Sequence, residues 1–171
     1  KVYTYDIKID KFYKDNGVEK PLANATFKLT TDEEGSSVVK LVNETEANTY
    51  HVQGDGETGS NTVTTDATGK ITIKGLKEGT YYLHETAAPT GFNKLTQPIK
   101  IEIAVTGEAY TTPSYKVDGN TQDSNTIKVE NVKGVMLPET GSIGTIGLTV
   151  LGVAVVLLGV FAPRKKKKEN Q

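Results

Sequence analysis

Three residues carry the wrong chemistry for their positions: Lys11, Glu85 and Asn131. Read with a period of two, Tyr5, Ile7 and Ile9 lead to Lys11 on one face of a strand. In the same way Tyr81 and Leu83 lead to Glu85, and Ile127 and Val129 lead to Asn131. Each polar side chain is therefore aimed where its neighbours predict a core, and an unpaired charge there is expensive. An amine, a carboxyl and a carboxamide are also the parts of one reaction. The Lys11 amine can attack the Asn131 side-chain carbonyl and expel ammonia, leaving an intramolecular isopeptide bond. Burial favours this because it disfavours charge, which frees the amine's lone pair. A neutral Glu85 acid can donate to the amide oxygen and shuttle protons. The ordinary alternative is that three strand ends reach solvent, where Lys and Glu extend their charged tips. Lys8 competes for the amine role, but it lies on the face opposite Ile7 and Ile9.

The elements that must position these residues read as β-strands. "YTYDIKIDKFY" alternates, "ATFKL" places Ala25, Phe27 and Leu29 on one face, and "KITIK" offers Ile71 and Ile73. "PIKIEIAV" offers Ile99, Ile101, Ile103 and Val105, and "TIKVENV" closes the series. Short alternating strands punctuated by Gly, Asn, Asp and Pro predict an all-β sandwich or barrel over residues 1–132. "APTG", residues 88–91, suits a type I turn with Pro second and Gly fourth. Residues 31–68 are polar around one apolar run, "VVKLV", and predict a long excursion with a hairpin. No amphipathic helix is expected before the C-terminal tail, and "VKGVM" reads as a short linker.

Composition narrows the function. The 171 residues include no Cys and no Trp, so a covalent staple has to come from chemistry other than a disulfide. The chain starts at Lys, which predicts a fragment or a processed chain. Net charge is −1, but residues 163–171 contribute +4, which leaves −5 on a body without Arg. Such a body is a poor nucleic-acid binder. His51 and His84 lack ligand spacing, "GDGETG" lacks the donor count of a calcium loop, and no metal or cofactor is expected.

The C-terminal end is the most specific signal. Residues 143–162, "IGTIGLTVLGVAVVLLGVFA", carry no charge. At about 1.5 Å per residue they reach roughly 30 Å, the thickness of a bilayer core, and predict a transmembrane helix. Arg164 and Lys165–Lys168 follow at once and form a basic cytoplasmic tail over 163–171 that leaves the body outside the cell. Before the span stands "LPETG": Leu137, Pro138, Glu139, Thr140 and Gly141. In this setting it resembles the LPxTG sorting signal of Gram-positive surface proteins. The resemblance implies that a sortase cuts between Thr140 and Gly141 and transfers the Thr140 carboxyl to an amine. The span is then a temporary retention device that keeps the substrate beside a membrane-bound enzyme.

The body carries a second resemblance. "YYLHETAAPTGF" resembles the E-box of Gram-positive pilins, with Phe92 in place of a final Tyr. "EKPLANATFKL" is similar to a stretch of collagen-adhesin B-type (CnaB) domains, with Asn24 where Gly is usual, and "TIKVENV" resembles their closing strand. The resemblance implies a CnaB-type, immunoglobulin-like β-sandwich with a Lys11–Asn131 isopeptide bond catalysed by Glu85. It is followed by a linker and sorting motif over 133–141. The function implied is a structural subunit of a sortase-assembled pilus, not an enzyme beyond one autocatalytic turnover. The implied partners are sortase, other pilin subunits, peptidoglycan or its precursor, and transiently the membrane, with a host surface ligand left open. The alternatives are a stalk domain of a wall-anchored adhesin, or the wall anchor of an upstream surface enzyme.

Overall fold

The computed structural model describes residues 2–106 and 112–134. Among them there is no helix, and twelve strands form two sheets. In chain order the strands are β1 (Tyr5–Asp15), β2 (Val18–Pro21), β3 (Thr26–Thr30), β4 (Leu41–Asn43), β5 (Thr49–Val52) and β6 (Val63–Thr64). They continue with β7 (Lys70–Leu76), β8 (Gly79–Ala87), β9 (Ile99–Thr106), β10 (Thr112–Val117), β11 (Asn120–Gln122) and β12 (Thr126–Glu130). The first sheet runs β12-β1-β7-β5-β4, with β2 folded back on the end of β1. The second runs β11-β10-β9-β8-β3-β6.

Alternation explains the layers. In β1, Tyr5, Ile7 and Ile9 are buried while Lys8 is exposed. Together with Ile71, Ile73, Ile127 and Val129 they make the inner face of the first sheet. Phe27, Leu29, Tyr81, Leu83, Ile101 and Ile103 face them from the second sheet, and all belong to one hydrophobic cluster. Each such side chain stabilises the fold by about 1.5–3 kcal/mol on burial. Ile99 and Val105, expected in the same stripe as Ile101, are only partly buried against this core.

Two local features differ from the sequence expectation. The turn at 88–91 is displaced by one residue. The Phe92 N–H donates to the Pro89 carbonyl (3.1 Å), which puts Pro89 first and Gly91 third. Gly91 has φ +87°, the value that the third position of a type II turn requires and that a type I turn does not use. The linker expected from Val132 is also partly built into the fold. Asn93 N–H donates to the Val132 carbonyl (2.9 Å), Gly134 N–H to the Gly91 carbonyl (2.8 Å), and Lys133 bridges to Phe92. The excursion over 31–68 does contain a hairpin, β4–β5, and Leu41 brings the core into it. Asn24 takes φ +63°, a left-handed conformation that Asn tolerates better than most residues. The Thr65 side chain braces that corner by donating to the Leu22 carbonyl (2.9 Å) and accepting from Ala25 N–H (3.0 Å).

Candidate site of intramolecular bond formation

Lys11 and Asn131 come from one sheet and Glu85 from the other. β1 and β12 run parallel, with Ile9 beside Ile127 and Lys11 beside Val129. The next inward position after Val129 is Asn131, whose N–H donates to the Phe12 carbonyl (3.0 Å). β8 crosses on the facing sheet, and Tyr81, Leu83 and Glu85 point inward from it. Lys11 is 0% exposed, Asn131 1% and Glu85 5%, and the side chains of Lys11 and Glu85 are fully covered.

The groups meet closely. Lys11 Nζ donates to Asn131 Oδ1 at 2.5 Å and to the Val129 carbonyl at 3.2 Å. Asn131 Nδ2 donates to Glu85 Oε1 at 2.8 Å, and Lys11 Nζ lies 3.8 Å from that same oxygen. The other carboxyl oxygen, Oε2, accepts from the Leu95 N–H at 2.7 Å. Among the described residues no buried side-chain polar atom is left without a partner. Burial pushes the Lys11 amine down from its ordinary value to about 8, although the Glu85 carboxyl and, more weakly, Glu130 pull the other way. An amine near 8 is neutral in about one molecule in ten at pH 7, against fewer than one in a thousand for an ordinary lysine. The site can therefore present a nucleophilic nitrogen against a carboxamide, with an acid–base group touching the nitrogen that would leave.

The main chain at Lys11 is fixed by two neighbours. Its N–H donates to the Gly69 carbonyl (2.8 Å) and its carbonyl accepts from Leu22 N–H (2.9 Å). Gly69 has φ +69°, and a Cβ there would stand 2.3 Å from the Lys11 carbonyl oxygen. Gly69, Leu95 and the Val129 carbonyl are parts of the site that the sequence reading did not identify. "DATGK" announces a turn but not which strand it abuts, and a peptide N–H or carbonyl has no residue-type signature.

The remaining expected positions lie apart from this centre. Lys8 is exposed on the opposite face of β1. His84 is partly buried, and its Nε2 lies 3.0 Å from Thr30 Oγ1. His51 sits between Glu57 (3.0 Å) and Glu44 (3.5 Å). Among the described residues no group of three or more ligating side chains could hold a metal ion. Leu137, Pro138, Glu139, Thr140 and Gly141, the span 143–162 and the tail 163–171 lie outside the described residues.

Comparison with known proteins gives the family. A model of the SpaA prealbumin-like fold domain matches residues 6–117, and a model of the LPXTG cell wall anchor motif matches residues 130–171. No curated protein matched the chain. Among solved structures, a minor pilin of Streptococcus agalactiae is 23% identical at a TM-score of 0.50, covering 81% of this chain and 48% of that one. The SpaE basal pilin from Lactobacillus rhamnosus GG is 22% identical at a TM-score of 0.52, with 76% and 46% covered. The chain thus spans about half the length of these two pilins. Their likeness concerns the fold, which is all-β in the described residues as the alternation predicts. From these matches, the chain belongs to the SpaA prealbumin-like fold domain family and is an extracellular protein with an LPXTG cell wall anchor.

Proposed function

We propose that this chain is the wall-proximal part of a structural pilus subunit, stapled by an isopeptide bond between Lys11 and Asn131 and attached covalently by a sortase acting at Thr140. The observation that supports it best is the buried amine 2.5 Å from a carboxamide oxygen with a carboxyl 2.8 Å from the carboxamide nitrogen. The anchor motif match supports a wall-attached surface protein, and the pilin fold likeness supports the reading as a pilus subunit.

The reaction uses only groups of this chain. The neutral Lys11 nitrogen attacks Asn131 Cγ. The Nζ–Cγ bond forms, the Cγ–Nδ2 bond breaks, and Nδ2 leaves as ammonia. One proton lost by Nζ is the proton gained by Nδ2. Glu85 Oε1 is hydrogen-bonded to Nδ2 and lies 3.8 Å from Nζ; a closer approach to Nζ lets it carry that proton between them, and it ends as it began. The gain for the fold is that two polar groups costly to bury become one amide.

The test is the mass of the folded ectodomain. Wild type should weigh one ammonia less than its sequence, and Lys11→Ala, Asn131→Ala and Glu85→Ala should each show the unmodified mass. A folded wild-type chain at full mass would rule out the staple.

A further inference from the structure

The Glu85 carboxyl is held from two sides. Oε1 faces the reacting pair, 2.8 Å from Asn131 Nδ2 and 3.8 Å from Lys11 Nζ. Oε2 is taken by the Leu95 N–H at 2.7 Å. Leu95 comes from the segment 94–98, which belongs to no strand and leads into β9. Against this segment lies a solvent-facing cavity of about 130 Å³, lined by His84, Glu85 and residues 94–98. Glu85 is one of the lining residues, and its side chain is fully covered from solvent. A carboxyl beside such a cavity has somewhere else to turn. Directed hydrogen bonds keep its acid–base oxygen on the reacting atoms.

We propose that the Leu95 peptide N–H is a positioning group for bond formation: by holding Oε2 it aims Oε1 at the nitrogen that attacks and the nitrogen that leaves. This rests on the isopeptide reading above. It adds no atom to the reaction. The proton still passes from Lys11 Nζ through Glu85 to Asn131 Nδ2, and ammonia still leaves. The Leu95 side chain packs against the core, so the N–H and the side chain have separable roles.

The experiment uses the full chain with a photocaged lysine at position 11. Light releases the amine, and mass spectrometry follows the loss of one ammonia. Three versions are compared at a temperature where each is folded by circular dichroism. These are wild type, a version in which the α-hydroxy analogue of leucine replaces Leu95 so that an ester oxygen stands for the N–H, and a version with the α-hydroxy analogue of threonine at Thr96, which carries the same kind of ester one residue on and keeps the Leu95 N–H. The Leu95 ester should slow bond formation roughly 10- to 100-fold, the loss expected for a hydrogen bond to a carboxylate. It should also alter the shape of the pH–rate profile, which a purely structural defect leaves unchanged. The Thr96 ester should keep the wild-type profile and a rate within about threefold. A Leu95 ester as fast as wild type, or a Thr96 ester as slow as the Leu95 ester, overturns the inference while leaving the bond in place. A wild-type chain that loses no ammonia after uncaging overturns the underlying reading as well.

Discussion

Lys11 is a lysine that burial has made less basic, and that would set the pH dependence of the proposed bond formation. Its amine is lowered to about 8, first by desolvation, with Glu85 as the largest opposing influence. Only the neutral amine attacks. Bond formation should therefore accelerate about tenfold per pH unit below 8 and level off above it, whereas an ordinary lysine would go on gaining to about 10.5. The uncaging assay between pH 6 and 10 measures this, and a rate that still climbs past pH 9 contradicts it. Glu85→Gln keeps the shape of the side chain and removes its acid–base function. It should slow the reaction by at least about 10², the lower end of what a positioned proton carrier contributes.

The elements around the site can be tested separately from its chemistry. Gly69 sits where a Cβ would strike the Lys11 carbonyl, and its φ is left-handed. Gly69→Ala should cost about 3 kcal/mol or more, because two backbone segments must separate to admit the methyl group. Gly17 has a similar φ but nothing within 4 Å of its Cβ position, so Gly17→Ala should cost only about 1 kcal/mol. Urea midpoints on an Asn131→Ala background, where no staple masks the difference, decide between them. Equal losses would mean that backbone angle alone matters. The same elements show what the sequence could disclose. β1, β3, β7, β8, β9 and β12 were legible because each shows at least two apolar residues in phase. That phase also exposed Lys11, Glu85 and Asn131 as exceptions. β4, β5 and β6 are two to four residues long, too short for alternation to register. The turn after β8 was misplaced because Pro and Gly fit two turn types at different offsets. The φ of Gly91, not its identity, separates them. Leu95 looked like an ordinary loop leucine because its contribution to the site is a main-chain N–H.

At the scale of the whole molecule, the proposed bond would join residues 120 apart and close nearly all of the described domain. Borrowing the loop-entropy estimate for disulfides, it should stabilise the fold by about 5 kcal/mol. Calorimetry of wild type against Asn131→Ala should show that difference as a large drop in Tm. Processing is tested at the other end of the chain. The surface form should terminate at Thr140, its carboxyl amide-linked to an amine. Mass spectrometry of C-terminal peptides from wall material would refute this by finding Gly141 and the apolar run still attached. The parallel pairing of β1 with β12 has a consequence for where the two ends of the domain lie. Had the first and last strands been antiparallel, the chain would enter and leave at the same pole. Parallel, it enters near Tyr5 and leaves past Asn131 at the opposite pole, about 25 Å further along at some 3.3 Å per residue. A domain of this kind turns folded residues into a fixed length between whatever is joined to its two ends.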